Sequence, residues 1–288
     1  MCRAASQPRG AAIALRSRLL WHEVVITTSS QAVTDALAYM TQGAEHSFSA
    51  RRTMTYDVAD APDGFAISEE GDALAAVPDA RAVLDQVYRR VHQRAFELGS
   101  LLGWVRVHGA LATIGDRRVL AVGPSGVGKT TLSLRLLFSG TPVHGDESVM
   151  LQNGRAVAVA RPFHLKPGIV SLVPEVSGLF DALPSLDGDP VIRAFDPSLA
   201  GFTWTIDDAP VDDVVVLERS ADGRSTLEPV RATEAMPFIV EEVFRNQEPT
   251  RAVLAEVAAV LRSAACWRLR LGDPAEAARS LHATGGLG

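Results

Sequence analysis

Lysine is almost missing from this chain. Of its 28 basic residues only Lys129 and Lys166 are lysine, and the rest are arginine. A GC-rich coding sequence drifts lysine to arginine wherever either will serve. A site that tolerates only a compact point charge on a flexible stem, and not a broad planar fork, would resist that drift. Cysteine is equally scarce: Cys2 and Cys266 stand alone, in neither a CxxC nor a Cys/His cluster. That argues against a disulfide framework or a zinc site and suits a reducing cytoplasm. No apolar run reaches the roughly 18 residues of a membrane helix. The opening MCRAASQPRGAAIALRSRLL has too short an apolar core for a signal peptide, and residues 1–20 read as a disordered terminus. An excess of positive charge is missing too. A net charge of −6 gives no reason to expect a general nucleic-acid or membrane surface.

What remains is an ordinary folded composition over 288 residues, long enough for a large α/β domain with a smaller companion. Residues 21–103 read as a small α+β unit. WHEVVITTSS predicts a strand, and SSQAVTDALAYMTQG a helix capped by Ser29 or Ser30 and ended by Gly43. Two or three short strands follow, punctuated by Pro-Asp-Gly and Glu-Gly-Asp turns. A helix then places Leu84, Val87, Tyr88, Val91, Ala95 and Leu98 on one face. Residues 104–288 read as a second domain. WVRVHGALATI and RRVLAVG are strands, TTLSLRLLFSG is a helix, and TPVHGDESVMLQNGRAVAVA is a strand pair turning at Asn153-Gly154. PVDDVVVLERS is a buried strand, two helices span 233–246 and 250–265, and WRLRLGDPAEAARSLHAT closes as strand, turn and helix. The Pro-, Asp- and Gly-rich stretch 175–205 reads as a mobile segment.

The chemistry begins at Gly123-Pro124-Ser125-Gly126-Val127-Gly128-Lys129-Thr130, which fits G-x-x-x-x-G-K-[ST] without a gap. An apolar strand precedes it and an apolar-faced helix follows, the context the motif requires. Glycines let successive N–H groups curl inward around phosphate oxygens. Lys129 would reach the β- and γ-phosphates of ATP, and the Thr130 hydroxyl would ligate Mg²⁺. Thr131 completes the nucleotide-binding set. A carboxylate is still needed at the metal and a base at the acceptor. Asp146 and Glu147, after the loop helix, are one candidate pair on a new strand, where neighbours point to opposite sides. Glu218, at the end of VVVLE, is the other candidate. His108, on the strand before the loop, reads as a core residue or a catalyst. His22, His46, His92 and His282 show no constellation.

Taken together, VHGAL, VLAVGPSGVGKTTL and the following Asp-Glu pair resemble the catalytic domain of HPr kinase/phosphorylase over about 104–151. His108 lies 21 residues before Lys129, and Glu147 lies 17 after Thr130, separations that match that family. The resemblance implies an α/β fold: a P-loop kinase core of the HPr kinase/phosphoenolpyruvate carboxykinase type, with a small α+β N-terminal domain. It implies ATP- and Mg²⁺-dependent phosphorylation of a serine hydroxyl on a partner protein or peptide. Gly123 to Thr130 would hold the phosphates, and Lys129 would stabilise the transferring phosphoryl. Asp146 and Glu147 would take the places of the family's Asp-Asp pair, and His108 that of its catalytic histidine. Thr130, Asp146 and Glu147 form the implied metal set. The family's later Glu-Ile-Arg-Gly segment has no match; ARPFHLKPG stands there instead. That string is more similar to HPr-kinase-related proteins encoded beside peptide-modifying clusters, some of which phosphorylate a lasso-peptide precursor. Arg161 and Lys166, both in that string, would neutralise the γ-phosphate or hold an acidic acceptor; Lys166 also reads as a solvated lysine left by coding bias. A cytoplasmic location is expected, and an oligomer is allowed. Two other readings stay open: a kinase for free serine, and a nucleotide-gated peptide-binding module that transfers nothing.

Overall fold

The computed structural model describes residues 12–40, 43–186, 189–244, 248 and 250–284. The chain forms two compact units, one of residues up to 42 with 50–95, the other of residues 43–49 with 96–288. The expected boundary at 103 falls late: helix α2 (Ala80–Leu101) begins in the first unit, but its last residues group with the second. No helix among the described residues is long and apolar enough to cross a membrane.

The first unit is built on a five-stranded sheet in the order β1 (Ile13–Leu19), β2 (His22–Thr28), β4 (Arg52–Ala61), β5 (Gly64–Glu69), β6 (Asp72–Ala73). Strand β1 corrects the expectation of a disordered terminus over 1–20; residues 1–11 lie outside the described part. The strand buries little apolar surface and is held by its antiparallel ladder with β2, so its sequence carries no strong hydrophobic signal. β2 and β4 run parallel, which requires a crossover, and α1 (Gln31–Leu37) occupies it. Ser30 caps α1, its hydroxyl accepting from the Val33 N–H. The helix stops at Leu37 in a short tight turn over Ala38–Met40, earlier than the predicted Gly43. Helix α2 presents Val83, Val87, Val91 and Ala95 as a buried stripe at four-residue spacing. Arg90 and Arg94 on the same helix reach the buried carboxylate of Glu69 on β5, which also accepts from Tyr56 Oη at 3.2 Å.

The second unit holds a mixed nine-stranded sheet. Its order is β16 (Ala209–Pro210), β11 (Arg155–Ala158), β10 (Ser148–Gln152), β7 (Val105–Ile114), β8 (Arg117–Val122), β17 (Asp213–Arg219), β19 (Ala265–Leu271), β18 (Thr226–Pro229), with β9 (Val143–Gly145) also pairing with β7. β8, β17 and β19 are parallel. Val214 to Leu217 in β17 are all buried, the uniform apolar run of a strand covered on both faces. Helices α3 (Lys129–Phe138) and α8 (Pro274–Thr284) contact each other and share one apolar cluster with β7, β8, β17 and β19. Helix α6 (Ala232–Phe244) packs on β7, β17 and β19, and α7 (Arg251–Ser263) on α6 and β10. The β10–β11 hairpin turns at Asn153 and Gly154, both with positive φ, as the dipeptide predicts.

Two expectations need correction. Asp146 and Glu147 lie in a bend between β9 and β10, not on a strand. The stretch 175–205 is not a plain loop. It contains α5 (Ser177–Phe180), β13 (Ser185–Leu186) and β14 (Asp189–Phe195), and with β12 (Phe163–Leu165) these strands form a small sheet in the order β12-β14-β13. α4 (Ile169–Leu172) precedes it, and β3 (Glu45–His46) pairs in parallel with β15 (Thr205–Ile206) just after it. Phe195 and Trp204 are fully buried. Isolated aromatic anchors among Pro, Asp and Gly produce no periodicity, so the segment looked structureless. Residues 187–188, within it, lie outside the described part.

Candidate functional site

The loop between β8 and α3 folds as its motif requires. Gly128 is the N-cap of α3 at φ 124°, a conformation that side-chain-bearing residues rarely adopt. Gly123 lies so close to β17 that a Cβ there would stand 2.8 Å from the Leu217 carbonyl oxygen. Arg219, at the end of β17, donates to the Gly126 carbonyl at 2.6 Å and ties the loop to the ends of the parallel strands, where ligands of open α/β sheets bind. Lys129 is buried, and its ammonium donates to the carbonyls of Gly123 and Pro124.

A cavity of about 430 Å³ opens at this loop. Ser125, Gly126, Gly128, Lys129, Thr130 and Thr131 form one wall. His108, Asp146, Glu147, His164 and Lys166 supply further polar groups, and Ile169, Leu172 and Ile192 an apolar side. Of the residues expected to bind nucleotide, Gly123, Pro124 and Val127 do not line it; Val127 is buried in the core shared with α3. Glu218 does not line it either: it lies near the end of β17, ion-paired with Arg268 at 3.3 Å.

The acids meet the loop directly. Thr130 Oγ1 donates to Asp146 Oδ2 at 2.7 Å, and Asp146 Oδ1 has no hydrogen-bond partner among the described residues. Burial pushes the Asp146 carboxyl up to about 6, against the pull of Arg161 and of the Thr130 hydrogen bond. Asp146 holds its place because β9 is anchored on both sides. Buried His144 donates from Nδ1 to the Thr205 carbonyl at 2.6 Å and accepts from Thr113 Oγ1 at 2.9 Å, while Trp204 Nε1 donates to the His144 carbonyl at 3.0 Å. Burial, reinforced by Arg118, lowers His144 to about 4, which keeps the ring neutral for those two bonds. Glu147 is about one-third exposed and ion-paired with Arg161. Arg161 thus faces Glu147 and the His164 ring rather than the cavity itself, a different position from the phosphate contact the sequence suggested. Lys166 does line the cavity, in the turn between β12 and α4.

Two residues escaped the sequence reading. His164 lines the cavity, and its pKa is lowered to about 4 by burial and then by Arg161. Glu242 on α6 is 1% exposed and lies 2.7 Å from His108 Nδ1. The signal for Glu242 was available: it falls on the helix face that buries Ala235, Ile239 and Val243. Burial, followed by the Lys129 ammonium, lowers the His108 pKa, while Glu242 and Glu147 pull it back up.

The arrangement fits a nucleotide with Mg²⁺. An unsatisfied carboxylate oxygen beside a threonine hydroxyl is a hard oxygen donor pair. No group of three His, Cys, Asp or Glu side chains able to hold a metal occurs among the described residues. Mg²⁺ commonly takes one or two carboxylates and completes its shell with substrate phosphates and water, so a sparse protein set is compatible with it.

No protein-family model and no curated protein matches the chain. Among solved structures, the HPr(Ser) kinase/phosphatase from Coxiella burnetii aligns at 13% identity with a TM-score of 0.34, over 64% of this chain and 99% of that one. So loose a superposition carries neither fold detail nor chemistry across. What stands is a mixed α/β protein with a Walker-type loop, a buried acid hydrogen-bonded to it, and a polar cavity at its mouth.

Proposed function

We propose that this protein is an ATP- and Mg²⁺-dependent kinase that transfers the γ-phosphoryl group to a serine hydroxyl of a peptide or small protein, with a lasso-peptide precursor as the leading acceptor and the cytoplasm as its place of work. The observation that carries the reading is the Thr130–Asp146 hydrogen bond, with Asp146 Oδ1 left unsatisfied, in a cavity shared by Lys129, Glu147 and His108. The motif resemblance over 104–151 supplies the reaction class.

In this mechanism the main-chain N–H groups of the loop hold the phosphates, and the Lys129 ammonium leaves its two carbonyl partners to neutralise the group in transfer. Thr130 and Asp146 would hold Mg²⁺, which supplies positive charge against the phosphate oxygens. Glu147 takes the proton of the acceptor hydroxyl as the new O–P bond forms and the β–γ bridge bond breaks, releasing ADP. Arg161 orients Glu147 through their ion pair. Catalysis of this kind is mostly positioning and electrostatics.

The test is intact-mass analysis after incubation with ATP, Mg²⁺ and the peptide encoded nearest the protein, with free serine as a parallel acceptor. A gain of one phosphate on the peptide, lost in Lys129→Ala and Glu147→Gln, is the expected result. Near-normal transfer by Glu147→Gln alongside a dead Glu218→Gln would place the acid on β17 and sink the assignment. Phosphate on free serine but not on peptide would move the protein to a small-molecule kinase.

A further inference from the structure

We propose that Glu242 is a positioning residue for His108: it fixes the imidazole with its proton on Nδ1, so that Nε2 is the bare acceptor nitrogen. The inference rests on the reading that the cavity is a phosphoryl-transfer site. Glu242 is 1% exposed, on a helix face that otherwise buries Ala235, Ile239 and Val243. A carboxylate in such a place is destabilising unless it is paired. It hydrogen-bonds His108, with Oε2 2.7 Å from Nδ1. An ionised carboxylate can only accept, so Nδ1 must carry the hydrogen, and in the neutral ring Nε2 then holds the lone pair. A tie that merely fastened α6 to β7 would work with any buried polar couple. This couple ends in a ring that lines the same cavity as Lys129, Thr130 and Glu147. A carboxylate that sets the tautomer of a histidine through one nitrogen while the other faces the reacting groups is a recurring catalytic device.

The test reads the ring before it reads turnover. Protein labelled with ¹⁵N-histidine is examined at a pH well above the ordinary histidine value, and the His108 signals are assigned by their loss in His108→Asn. Wild-type protein should show Nδ1 protonated and Nε2 bare. Glu242→Met, of similar length but with no acceptor, should move the ring toward the Nε2–H form. It should also lower the rate of phosphoryl transfer by about tenfold or more, the scale on which a misplaced group in the reacting array slows transfer, with KM for ATP unchanged. Glu242→Gln keeps an acceptor oxygen and should retain the tautomer and most of the rate. An Nε2–H ring in the wild-type protein overturns the proposal without any variant. So does a Glu242→Met protein that loses turnover while its ring signals stay put, since that is a structural effect. If Glu242→Met does not fold, the wild-type and Glu242→Gln spectra decide. If the wild-type protein phosphorylates no hydroxyl at all, the kinase reading falls, while the tautomer still reports whether Glu242 holds the ring.

Discussion

Two buried carboxylates in this chain have opposite surroundings. Glu69 accepts from Tyr56 and pairs with both Arg90 and Arg94; Asp146 has one hydroxyl donor and an oxygen left over. The first is a structural knot; the second keeps the capacity for a further bond. For Glu69, burial pushes the pKa up, but the two guanidiniums outweigh it and hold the carboxyl below its usual 4.5. A folded-state pKa below the unfolded one stabilises the fold at pH above the unfolded value, and that contribution is lost as pH falls toward the folded one. Amide exchange in β5 should therefore speed up in wild-type protein as pH drops below about 4.5, beyond the intrinsic trend. Glu69→Gln should flatten that response; an unchanged slope in the variant would remove the knot from the account. At this scale the sequence was readable where the backbone dictates the residue. Gly128 and Lys129 belong to a motif fixed by local geometry. Glu242 could not be paired with His108, because the partners are 134 positions apart and only the packing of α6 on β7 brings them together.

Elements set the acid pair in place. Asp146 sits one residue beyond β9, and β9 is fastened by Trp204 and Thr205, which close the stretch that had looked like a loose loop. Trp204→Ala should cost about 3–5 kcal/mol by opening a cavity and should also free the His144 backbone. Phe195→Ala, in the small sheet, should cost a similar amount without touching that anchor. With both variants held at a temperature where each is folded, phosphoryl transfer should fall further in Trp204→Ala. Equal rates would mean that the bend keeps Asp146 in position unaided. Strand and helix types in this unit were legible from apolar runs and from the Asn-Gly turn. The bend that separates β9 from β10 was not, because His-Gly-Asp-Glu reads smoothly as a continuing strand and the long-range hydrogen bonds of His144 beside the interruption leave no local signal.

Across the molecule, the chain divides into two units, with the division falling near the end of α2 and residues 43–49 grouped with the second. The hidden strand β1 shows the limit of composition: an edge strand with arginines at alternate positions is defined by its neighbour's ladder, not by its own hydrophobicity. The most practical outcome of the architecture lies in its near-lack of lysine. Lys129 and Lys166 are the chain's whole supply of side-chain amines, and both border one cavity. An acyl-phosphate derivative of ATP, which delivers its acyl group to a nearby amine, should modify one or both of them and little else beyond the α-amino group, and excess unmodified ATP should block the modification. Peptide mapping that found neither lysine acylated would count against nucleotide binding here. A reagent usually plagued by background would, on this protein, behave as a probe of a single place.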